Sequence, residues 1–177
     1  MKRRNSLVQM ILLSALAAGA LALSYVELLL PPLIAGLPGI KMGLPNIIII
    51  FCLYRLGGRE AALVSGLRLV LSALLFGSAV TFIYSLAGAV LSLFLMLLLR
   101  RSGIFSPIGV SIAGGVAHNA GQVLVAVFLL NTPQLGYYMI LLSVSGTVAG
   151  ALVGLAAGLW LRYTERILPA SLWRHEE

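Results

Sequence analysis

Residues 108–130 read IGVSIAGGVAHNAGQVLVAVFLL. The run is apolar at both ends and long enough to cross a membrane, where a hydrocarbon core about 30 Å thick requires roughly 20 residues of helix. Its centre, AGGVAHNAGQ at 113–122, nevertheless carries His118, Asn119 and Gln122 among Gly114, Gly115 and Gly121. Polar side chains are costly at that depth and mark either cross-helix bonds or a functional site.

The rest of the chain shares this character. Of its 177 residues 60% are hydrophobic and only 10% charged, a composition that soluble domains do not have. Mean hydropathy is +1.06. The reading is an all-α, polytopic membrane protein, a single integral membrane domain over 1–177 with a six-transmembrane-helix bundle. Apolar segments are expected at about 7–26, 44–54, 61–76, 80–99, 108–130 and 137–161. The second is too short to cross alone and follows Pro31, Pro32, Pro38 and Pro45. A broken or re-entrant segment fits, because irregular backbone at membrane depth is tolerated only inside protein or beside a wet cavity.

The net charge of +7 does not point to nucleic acid. Lys and Arg flank apolar segments and form no stripe interleaved with aromatics. With the N-terminus in the cytoplasm, Lys2, Arg3, Arg4, Arg55, Arg59, Arg100, Arg101, Arg162, Arg166 and Arg174 all fall on the cytoplasmic side, as the positive-inside rule requires. The expected location is the inner (cytoplasmic) membrane with both termini cytoplasmic. The first segment, although preceded by a signal-like basic start, reads as an uncleaved anchor. Lys41 and Arg68 lie outside this pattern.

Arg68 stands eight residues beyond Glu60, about 12 Å along a helix, too deep for easy snorkelling. An arginine near the bilayer centre costs at least about 2.5 kcal/mol on insertion scales, so it requires a counter-charge, a cavity or a ligand. Glu27 is the acidic residue placed to neutralise it; an anionic ligand is the other possibility. His118 lies eleven residues beyond Pro107, about 16 Å deep and level with Arg68. His118, Asn119 and Gln122 share one wedge of their helix. Lys41, in PGIKMGLPN at 38–46, belongs to a loop suited to cap a cavity, and Asn46 opens the second helix. The expected ligand-binding set is therefore Lys41, Asn46, Arg68, His118, Asn119 and Gln122.

Small residues mark close packing. Gly146, Gly150, Gly154 and Gly158 recur every four residues and draw one stripe along the last segment. Ser14, Ala18 and Ala22 make a similar row on the first, either for packing within the bundle or for docking a partner subunit.

Catalytic signatures are missing. The chain has no aspartate, so paired Asp-rich motifs that hold magnesium on a prenyl diphosphate cannot be built. It has no P-loop, HExxH or GxSxG. No metal site and no cofactor are expected, Cys52 being the only cysteine, and a self-sufficient enzyme is not the reading.

PGIKMGLPN and GGVAHNAGQ together resemble the family called heptaprenyl diphosphate synthase component I, also called Gx transporter family proteins, over nearly the whole chain. That family is similar to the substrate-binding S components of energy-coupling factor (ECF) transporters, small six-helix membrane proteins. The resemblance implies a site open to the outer side, a first loop containing Lys41 that caps it, and docking through Ala18 and Ala22 onto a transmembrane coupling subunit driven by ATPases. The function expected is thus a membrane-embedded substrate-binding subunit for a small anionic or amphipathic ligand. The alternative is a non-catalytic accessory subunit in polyprenyl diphosphate or quinone metabolism, partnered by a prenyl synthase or redox protein.

Overall fold

The computed structural model describes residues 2–30 and 42–167. Among these residues all regular structure is helical: α1 (Lys2–Leu29), α2 (Asn46–Arg55), α3 (Gly58–Phe76), α4 (Ala79–Ser102), α5 (Pro107–Leu130) and α6 (Tyr138–Ile167), with a short 3-10 turn at Pro133–Tyr137 before α6. Each expected apolar segment is a helix. Lys41, the loop prolines Pro31, Pro32 and Pro38, and the C-terminal Arg174 and His175 lie outside the described residues.

The expectation of six spanning helices needs refinement. Four stretches are long and apolar enough to cross a membrane: Leu7–Leu29, Ala79–Ser102, Pro107–Leu130 and Pro133–Ile167. The ten residues of α2 rise only about 15 Å, half a crossing. In α3, nineteen residues long, Arg59, Glu60 and Arg68 interrupt the apolar run.

Local chemistry sets the helix ends. Ser78 and Thr81 form a reciprocal capping box at the start of α4, and the α4 end turns on Gly103, whose φ of +68° is left-handed. Ser106 caps α5 by accepting from the Gly109 N–H, with Pro107 in the first turn where its missing N–H costs nothing. The ends of α2 are closed by backbone: Asn46 N–H donates to the Gly43 carbonyl (2.9 Å), and Leu56 and Gly57 N–H both donate to the Cys52 carbonyl (2.8 and 3.0 Å). A half-length helix survives at membrane depth because these groups are satisfied internally.

Packing follows chain order. α1 packs on α3, α3 on α4, α4 on α5 and α5 on α6, while α2 sits against α1, α3 and α6. α2 is apolar on every side and therefore belongs inside: Ile49, Ile50, Phe51, Cys52 and Leu53 are buried, together with Val64 of α3, Val110 of α5 and Ala157 of α6. Phe51 stacks on Trp160 with ring centroids 4.0 Å apart.

Backbones meet where glycine allows it. A Cβ at Gly115 would stand 2.6 Å from the Gly146 carbonyl oxygen, and one at Gly150 would stand 2.7 Å from Ile112 Cα. Gly154 likewise faces Ile108 and Ser111 of α5. Gly158 does not belong with these three, because nothing lies within 4 Å of its Cβ position. The four-residue repeat drifts round a helix of 3.6 residues per turn, and the antiparallel α5 starts only at Pro107, short of the level of Gly158.

One end of the bundle is basic. Arg55, closing α2, forms an ion pair with Glu165 (2.8 Å) and donates to the Leu161 carbonyl (2.6 Å). Arg100, closing α4, lies over the Tyr54 ring at 5.3 Å. The C-terminal ends of α2, α4 and α6 thus converge there. α2 fills the core of this half only, which leaves room in the other.

Candidate functional site

The room left beyond the N-terminus of α2 is a cavity of about 420 Å³, within the range of small-molecule sites. Counting from the basic end, Asn46 stands nine residues before the end of α2, Arg68 ten beyond the start of α3 and His118 eleven beyond the start of α5. At 1.5 Å per residue all three lie about 14–16 Å deep, near the middle of a bilayer. All three line the cavity, as do Asn119 and Gln122. Five of the six residues expected to bind ligand therefore face one space; Lys41 is the sixth and lies outside the described residues.

Arg68 is held from α1. Its Nη1 donates to Ser24 Oγ (3.3 Å), and Ser24 Oγ in turn donates to the Ala20 carbonyl (2.9 Å). Its Nε is buried with no hydrogen-bond partner, and so is Oγ of Ser72, one turn further along the same face of α3. Buried polar atoms are ordinarily satisfied, so two orphans on one cavity wall are notable.

Among the described residues no ion pair joins Glu27 to Arg68. Glu27 accepts a hydrogen bond from the Gly43 N–H through Oε1, which ties the end of α1 to the turn that starts α2. Glu27 also lines the cavity.

The α5 cluster divides its labour. Asn119 Nδ2 donates to the Leu142 carbonyl of α6 (2.7 Å), a cross-helix bond. Gln122 makes no side-chain hydrogen bond among the described residues. His118 packs against α4, where a Cβ at Gly88 would fall 2.9 Å from its Nδ1. Gly88 thus makes room for the imidazole beside the cavity.

Sequence reasoning missed the hydroxyls. Ser24, Ser72, Thr81, Ser85, Ser92 and Ser111 also line the cavity. Thr81, Ser85, Gly88, Ser92 and Met96 recur at three- and four-residue spacing, a stripe down one face of α4 that was available to be read. Single hydroxyls are common in membrane helices, and only their convergence gives them weight.

The row Ser14, Ala18 and Ala22 is exposed, while Leu16, Ala17 and Ala20 supply the buried face of α1. No group of three or more His, Cys, Asp or Glu side chains placed to hold a metal is assembled among the described residues.

Fold and site together define an all-helical membrane protein with a partly open cavity, lined by polar and apolar groups, between its helices. The chain belongs to the heptaprenyl diphosphate synthase component I family, whose model matches residues 16–160. No curated protein and no solved structure matches it.

Proposed function

We propose that this chain is a membrane-embedded binding subunit that takes a small ligand from the outer side and anchors the ligand's anionic group on Arg68, as the substrate-binding subunit of a transporter would. The observation that carries this reading is the half-satisfied guanidinium facing a cavity of ligand size. An unmet donor in a low-dielectric interior is costly, and beside a cavity of this size a ligand can meet it. Asn46 and His118 add donors and acceptors at the same depth, and Gln122 adds an amide about one turn further along α5.

Most of the cavity lining lies at or beyond the level of Asn46, away from the basic end. With that end in the cytoplasm, ligand arrives from outside. The exposed Ser14, Ala18 and Ala22 row supports docking to a transmembrane partner, because small residues let a second backbone approach closely. Energy for transport would come from that partner's ATPases.

Native mass spectrometry of the full chain, purified from native membranes in mild detergent, tests the reading. A small molecule retained by the parent and lost from folded Arg68→Ala and His118→Ala is the expected result. Retention by both variants at the parent level would overturn it. Affinity purification reports on the partner: an ATPase and coupling subunit support transport, whereas a prenyl synthase or redox protein would replace it with the accessory-subunit role.

A further inference from the structure

We infer that the ligand is a small zwitterion, with its carboxylate on the Arg68 side and its protonated nitrogen on the Glu27 side of the cavity. This rests on the reading of the cavity as a binding site and adds the charge class of what it binds.

The cavity wall between α1 and α3 is built in two levels. Ser24 and Arg68, in contact, form the deeper one. Glu27 lies three residues beyond Ser24 on α1, and Ser72 four beyond Arg68 on α3, each on the same face as its predecessor. Both helices run away from the basic end, so Glu27 and Ser72 form the upper level about 5–6 Å above the first. The deeper level offers the Arg68 Nε donor and the upper level offers the Ser72 hydroxyl, both buried and unused. Oε1 of Glu27 holds the Gly43 N–H, and Oε2, which makes no hydrogen bond among the described residues, can accept from a ligand.

Charge balance among the described residues points to the class. Arg68 and Glu27 are the charged side chains lining the cavity among the described residues, and their formal charges cancel. A ligand with a net charge would bring that charge into a low-dielectric space without compensation. A diphosphate brings several negative charges to a wall with one cation and a carboxylate beside it. A zwitterion of short reach instead satisfies each protein charge with its opposite and supplies the partners that Nε of Arg68 and Oγ of Ser72 lack.

Glu27→Gln gives a test whose sign depends on the answer. The full chain in detergent is titrated by thermal shift with the free proteinogenic amino acids, glycine betaine and inorganic pyrophosphate. The expected result is stabilisation of the parent by at least one zwitterion and not by pyrophosphate, with affinity weakened by about tenfold or more in Glu27→Gln and in Arg68→Gln. Should pyrophosphate bind instead, and bind more tightly once Glu27→Gln removes the repelling carboxylate, the charge class is overturned while the binding-site reading stands. No response to any zwitterion also overturns the charge class. The retained-molecule measurement on the parent then tells whether the site itself fails. Glu27→Ala, compared at matched Tm, separates loss of charge from loss of the Gly43 contact.

Discussion

Arg68 of α3 donates through Nη1 to Ser24 Oγ of α1 at 3.3 Å while its Nε stays buried without a partner. The protein orients this guanidinium without satisfying it. A group held in that condition favours function over stability, which gives the first prediction.

Arg68→Leu is expected to stabilise the ligand-free protein by on the order of 1 kcal/mol, seen as a higher Tm, because an apolar side chain removes the cost of an incompletely paired cation. Ser24 keeps its bond to the Ala20 carbonyl in the variant. The same substitution should abolish retention of a small molecule in native mass spectrometry. A lower Tm would mean that the arginine is structural.

Glycines on α5 and α6 should separate by contact. Gly115→Ala places a methyl group 2.6 Å from the Gly146 carbonyl and should cost about 1–3 kcal/mol as the helices are forced apart. Gly158→Ala meets nothing within 4 Å and should be neutral or stabilising by up to about 1 kcal/mol through helix propensity. Thermal unfolding in a single detergent compares them directly.

At the basic end, Glu165→Gln should cost less than about 1 kcal/mol, because the Glu165 side chain is 62% exposed and water screens its pair with Arg55. Arg55→Ala should cost more, about 1.5–3 kcal/mol, since it also removes the 2.6 Å bond to the Leu161 carbonyl that joins α2 to α6. Raising the salt concentration should narrow the Glu165 effect and leave most of the Arg55 effect.

Ala18→Trp tests the exposed row on α1. Ala18 faces away from the bundle, so the variant should keep the parental Tm and ligand retention. It should lose co-purification of a membrane partner, as a bulky side chain holds the second backbone away. Recovery of the partner at the parental level would return the row to lipid.

Hydropathy alone made the membrane and the helices legible, because a helix that must bury every backbone group in lipid writes its length directly into the apolar run. Arg68 and His118 could be set at one depth by counting residues from the helix ends, since the rise per residue is constant. The basic end was legible for the same reason. Depth is a property of one helix at a time, and the sequence reaches that far.

Rotation and neighbours are properties of pairs. Whether Glu27 would neutralise Arg68 or serve elsewhere depended on where the turn before α2 passes, and the structure gives its Oε1 to the Gly43 N–H. Gly158 follows its three predecessors in sequence but not in contact. The serines of α1, α3, α4 and α5 acquire a role only because those helices turn them toward one space. Periodicity says which residues share a face; close packing between helices decides what that face meets, and here it brought Arg68, Glu27 and His118 to the same cavity.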